Sequence, residues 1–99
     1  MSCGAKTGGT SLAGVDVSKE SIVQGVVTKG GQPVPNAYVR LLDRGGEFTA
    51  EVPTSEAGEF RFFAAPGDWT LRTLAPRSQP VDTTVTAARG VIAQVFVTL

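Results

Sequence analysis

Residues 20–43, ESIVQGVVTKGGQPVPNAYVRLLD, decide how this chain folds. ESIVQGVVT (20–28) alternates so that Val23, Gly25 and Val27 share one face, while Ile22 and Val26 take the other. KGGQPVP (29–35) follows, its glycines and prolines supplying the backbone angles a reversal needs. NAYVRLLD (36–43) resumes the alternation, with Ala37, Val39 and Leu41 on one face and Tyr38, Arg40 and Leu42 on the other. A period of two, broken by a turn, marks half-buried strands.

The same grammar continues outward to the C-terminus. FTAEVPT (48–54) is a short strand ended by Pro53, which places it at a sheet edge. EFRFFA (59–64) points Phe60 and Phe62 one way and Arg61 the other. After the PGD turn (66–68), WTLRTLA (69–75) turns Trp69 and Leu71 inward. RSQPVDTTVTA (77–87) and VIAQVFVTL (91–99) complete the set. About seven short strands at this spacing predict an all-β sandwich with very little helix. Residues 1–19 differ: they hold four of the twelve glycines, and after Met1 their only large apolar residues are Leu12, Val15 and Val17. The reading is a flexible N-terminal arm over 1–19 and a sandwich domain over 20–99.

Composition narrows the function. Ninety-nine residues suffice for one core and not for an added catalytic subdomain. Nine basic and nine acidic residues cancel, so the chain lacks the basic footprint that nucleic acid or an anionic membrane requires. Histidine is absent, which excludes Ser-His-Asp and Cys-His nucleophile activation and every imidazole metal site. A single cysteine forms neither an internal disulfide nor a Cys-rich zinc site. No run approaches the roughly 18 apolar residues of a membrane span. The opening MSCGAKTGG is not a signal peptide either, so a cytoplasmic protein without cofactor or metal is expected.

The motifs IVQGVV, GGQPVPNAYVRL, TSEAGEFRF and PGDWTLR, spread over residues 22–74, resemble the carboxypeptidase regulatory-like domains. The resemblance implies a Greek-key β-sandwich of transthyretin-like fold. The whole chain, with its CGA opening and LAGVDVSKESIVQG entry, is similar to a small actinobacterial family of unknown function encoded beside thiosulfate sulfurtransferases. That implies an association with sulfur metabolism and a sulfurtransferase partner, and it implies no reaction. Activities of other fold-mates fail on residues. Transthyretin-like hydrolases of purine breakdown need histidines and a terminal Tyr-Arg-Gly-Ser. Intradiol dioxygenases hold iron with two histidines and two tyrosines. Isopeptide-stabilised modules need an Asn or Asp in the last strand, and residues 91–99 have neither.

Three features carry candidate function. Cys3, on the glycine-rich arm near Lys6, is a candidate sulfur acceptor that would hold a persulfide; the alternative is an incidental terminal thiol. Ile22 and Val26 on the first strand, with Ile92 and Phe96 on the last, share the outward parity. In the implied fold those strands are neighbours, so the four residues are expected to form one apolar patch. Its occupant is either a partner, with a homodimer as one form, or the arm through Leu12, Val15 and Val17. Arg40, Arg61 and Arg72, with Glu51 and Glu59, would make either a groove for a small anion or a solvated face of ion pairs. Trp69, Phe60 and Phe62 are read as core and not as a carbohydrate platform. The expected function is that of a non-enzymatic binding or accessory protein. The alternatives are a Cys3 sulfur carrier and a purely structural oligomerisation module.

Overall fold

The computed structural model describes the backbone of residues 5–7 and the whole of residues 20–99. Among these it contains β1 (Ala5–Thr7), β2 (Ile22–Lys29), β3 (Gln32–Pro33), β4 (Tyr38–Leu42), β5 (Phe48–Pro53), β6 (Glu59–Ala64), β7 (Gly67–Leu74), β8 (Val81–Ala87) and β9 (Ile92–Thr98), and no helix. The seven longer strands are the seven alternating runs of the sequence. The two short ones carry no alternation of their own, because pairing with a neighbour alone makes them strands.

The strands form two sheets. In the first, β2 lies between β6 and β9, β1 flanks β6, and β3 pairs with the end of β2. The second runs β5-β4-β7-β8. Every pairing is antiparallel except β2 with β9, which is parallel from Ile22–Ile92 to Thr28–Thr98. These are the first and last long strands, and no tight turn joins them, so a parallel pairing is open to them. Pro53 ends the edge strand β5, as its ring requires.

The core fills the space between the sheets. Val23, Val27, Phe62 and Val97 from the first sheet and Val39, Leu41 and Leu71 from the second are essentially inaccessible to solvent. Burying side chains of this size stabilises by about 1.5–3 kcal/mol each, before the loss of chain entropy is counted. Trp69 belongs to this core, and its indole Nε1 donates to the Ala65 carbonyl at 2.8 Å. A buried Trp needs such a partner, and the preceding turn supplies it. Thr54 closes the β3–β4 connection from inside: its hydroxyl donates to the Val34 carbonyl at 2.6 Å and accepts the Ala37 N–H at 2.9 Å. Asn36, in that connection, has φ 58°, a conformation Asn tolerates better than most residues.

Two apolar side chains read as outward are buried. Leu42 was expected outside with Tyr38 and Arg40, and it is buried. The pairing of β4 with β5 slips between Leu41 and Leu42, which sets Leu42 opposite Phe48 and ends the regular pattern there. Ile22, also expected at the surface, is fully buried.

Candidate functional site: the outer face of the first sheet

In-register pairing of β6, β2 and β9 lines up outward side chains in rows across three strands. Phe63, Ile22 and Ile92 form one row; Arg61, Gln24 and Gln94 the next; Glu59, Val26 and Phe96 the third. The expected quartet is therefore brought together pairwise, Ile22 beside Ile92 and Val26 beside Phe96. One continuous patch, however, is not what results. Residues four apart on a strand have a same-face residue between them, and here those residues are Gln24 and Gln94.

That middle row is polar and tied together. Arg61 Nε donates to Gln24 Oε1 at 2.8 Å, and Gln24 Nε2 donates to Gln94 Oε1 at 3.0 Å. Arg61 is only 7% exposed. A depression of about 140 Å³ lies over this row, with Gln24, Arg61, Gln94 and Glu59 in its lining. Of the two apolar rows, the first is largely closed by the burial of Ile22, with Ile92 at its rim. The third is open. Phe96 is 76% exposed, the most exposed large hydrophobic among the described residues, and Val26 beside it is half-buried.

The charged residues divide between two faces. Arg40 and Arg72 sit side by side on the outside of the second sheet, in a row that reads Glu51–Arg40–Arg72–Asp82 across its four strands. Arg61 and Glu59 lie on the opposite face of the sandwich, so the three arginines do not form one groove. The expected grouping failed because parity fixes inward or outward within a sheet and cannot say which sheet a strand joins. Each central arginine is held by an outer carboxylate. Arg40 Nε lies 2.7 Å from Glu51 Oε2, and Arg72 makes a two-pronged contact with Asp82 at 2.9 and 3.0 Å. The hydrogen bond to Arg72 holds the Asp82 carboxyl below the usual carboxylate range, and the same bond raises Arg72. These are cross-strand pairs on a solvated face, which was one of the two readings of the sequence.

Cys3, Leu12, Val15 and Val17 lie outside the described residues. Among those described, no group of three or more Asp, Glu, Cys or His side chains is placed to hold a metal ion. No helix among them is long and apolar enough to cross a membrane. Outward parity in the sequence does not by itself single out the Arg61–Gln24–Gln94 row. Its signal was present in the parity of Gln24 and Gln94, but only the register of β2 against β9 shows that the two amides meet.

Comparison with known proteins places this architecture. Two uncharacterized proteins of Mycobacterium tuberculosis strain H37Rv are each 57% identical to the chain over 76 residues, which is 76% of this chain and 76% of theirs. An uncharacterized protein of Mycolicibacterium smegmatis is 59% identical over 64 residues, 64% of this chain and 71% of that protein. Among solved structures, the dioxygenase domain of a dioxygenase carbohydrate-binding protein fusion from Streptomyces sp. SirexAA-E matches with a TM-score of 0.60 at 16% identity, over 92% of this chain and 86% of that one. Catechol 1,2-dioxygenase from Pseudomonas arvilla C-1 matches with a TM-score of 0.54 at 12% identity, over 87% and 53%. At such identities the likeness concerns the sandwich alone. A family model described as "Protein of unknown function (DUF1416)" matches residues 3–99. With that match over nearly its whole length, the chain belongs to the DUF1416 family of proteins of unknown function.

Proposed function

We propose that the protein acts by binding another protein, as an accessory to a sulfur-handling enzyme of the thiosulfate sulfurtransferase class, and that it docks through the outer face around Phe96. The observation that carries the binding reading is Phe96 itself, 76% exposed beside Val26 on a strand without charged residues. A large aromatic left in water, flanked by a half-buried valine and the amides of Gln24 and Gln94, with Glu59 and Arg61 one strand further, has the makeup of an interface anchor with a polar surround. The choice of a sulfurtransferase rests on the sequence resemblance to a family encoded beside such enzymes.

The test is co-purification of the chain with a thiosulfate sulfurtransferase from the same organism, using wild type, Phe96→Asp and Cys3→Ser. Binding by the wild type that Phe96→Asp abolishes, in a protein that still folds, supports the docking face. Sulfur transfer that disappears with Cys3→Ser while binding persists would point to the carrier role instead. Absence of binding by the wild type removes the sulfurtransferase reading.

A further inference from the structure

Among the described residues the outer edge of β9 pairs with no strand, and we propose that it pairs antiparallel with β9 of a second copy of this chain. The pairing uses backbone groups and leaves the outer face of the first sheet uncovered, so it stands independently of the sulfurtransferase reading.

The ladder shows which groups are available. Ile22 N–H donates to the Val91 carbonyl, and Leu99 N–H donates to the Thr28 carbonyl. The Val95 carbonyl is likewise turned toward β2, where it meets the Cβ position of Gly25. Odd-numbered residues of this strand thus spend their backbone groups on β2. Alternation sends those of Ile92, Gln94, Phe96 and Thr98 to the other side. No strand among the described residues pairs there.

An unpaired edge is ordinarily blunted by a charge, a proline or shortness. The other outer edges carry such devices: β1 has three residues, β5 carries Glu51 and ends at Pro53, and β8 carries Asp82 just after Pro80. β9, IAQVFVT, has seven residues with no charge, proline or glycine. The missing charge also selects the partner. Around a two-fold axis each residue near the centre meets its own kind, so a charged edge repels its copy and an uncharged one does not. A register centred on Val95 sets Ile92 opposite Thr98, Ala93 opposite Val97 and Gln94 opposite Phe96, which uses the whole strand. It also brings apolar surface over the half-buried Val81, Val85 and Ala93, which line the flank of the sandwich where β8 approaches β9. The two first sheets would become one continuous sheet with the Phe96 side chains close together on its outer face.

Amide hydrogen exchange measured by NMR, combined with analytical ultracentrifugation from low micromolar to near-millimolar concentration, tests this. The expected result is a monomer–dimer equilibrium in which the Gln94 and Phe96 amides become at least tenfold more protected as the dimer fills, while Val95 and Val97 are protected throughout. Gln94→Pro, which removes an outward N–H, and Phe96→Lys, which sets two charges near the axis, are expected to give monomers. If Gln94→Pro fails to fold, Phe96→Lys decides. Three results overturn the proposal: a monomer at every concentration, Gln94 and Phe96 amides protected equally at all concentrations (another segment of the same chain on the edge), or a dimer that survives Phe96→Lys without protection of these amides.

Discussion

Gly25 stands directly across from Val95, and a methyl group on its α-carbon would overlap the Val95 carbonyl oxygen and lie 2.8 Å from the tip of the Phe60 ring. The contact joins sheet pairing to core packing. β2 approaches β9 this closely on its inner side only because residue 25 lacks a side chain. Gly25→Ala must push either the β9 backbone or Phe60, and overpacking of this kind costs about 1–3 kcal/mol or more. Chemical denaturation should show the loss as a lower midpoint with an unchanged slope.

Thr73 faces inward on β7, is fully buried, and its hydroxyl has no hydrogen-bond partner among the described residues. An unpaired hydroxyl in an apolar core has given up water without compensation. Thr73→Val replaces it with a methyl group of nearly the same shape. The variant should gain roughly 1 kcal/mol, read as a higher melting temperature; a loss would mean that the hydroxyl has a partner.

Thr54 carries the opposite case, a buried hydroxyl with both of its bonds made. Thr54→Val leaves the Ala37 N–H and one acceptor position on the Val34 carbonyl unmatched, at a cost of about 1–3 kcal/mol. Thr54→Ser keeps the oxygen and should recover most of that difference. Thermal unfolding of the two variants side by side distinguishes the hydrogen bonds from the packing of the methyl group.

The Arg72–Asp82 pair sets an acid-side dependence. Asp82 titrates below its ordinary value in the folded protein, so folding is favoured by the ionised form. Its contribution is complete above the unfolded carboxylate value of about 3.9 and fades as the pH falls through the lower folded value. Asp82→Asn should flatten that part of the stability–pH curve and leave the shape above about pH 5 unchanged. Because both side chains are about half exposed, the difference should shrink further in high salt.

The candidate face shows how far residues alone could lead. Alternation placed Val23, Val27, Val39, Leu41, Phe60, Phe62, Trp69 and Leu71 inside, and all are buried. It failed at Leu42, where a register shift breaks the period. Ile22 keeps its outward place in the row with Phe63 and Ile92 but is buried, because outward parity is not exposure. Phe96 was legible as an outward aromatic, whereas its isolation from Ile22 by Gln24 and Gln94 depended on pairing.

What the sequence determined by itself is the set of strands and the inward or outward sense of most side chains. Both are local properties of a backbone with period two, enforced by the removal of apolar groups from water. What only the tertiary structure decided is which strands are neighbours. Register between β2 and β9, some seventy residues apart, joined Gln24 to Gln94 and set Phe96 beside Val26 on the outermost described strand of the first sheet. It also put Arg61 on one face of the sandwich and Arg40 with Arg72 on the other. Strand order is a property of the whole packed chain, settled by which arrangement buries the most apolar surface and pairs the most backbone, and no window of residues contains it.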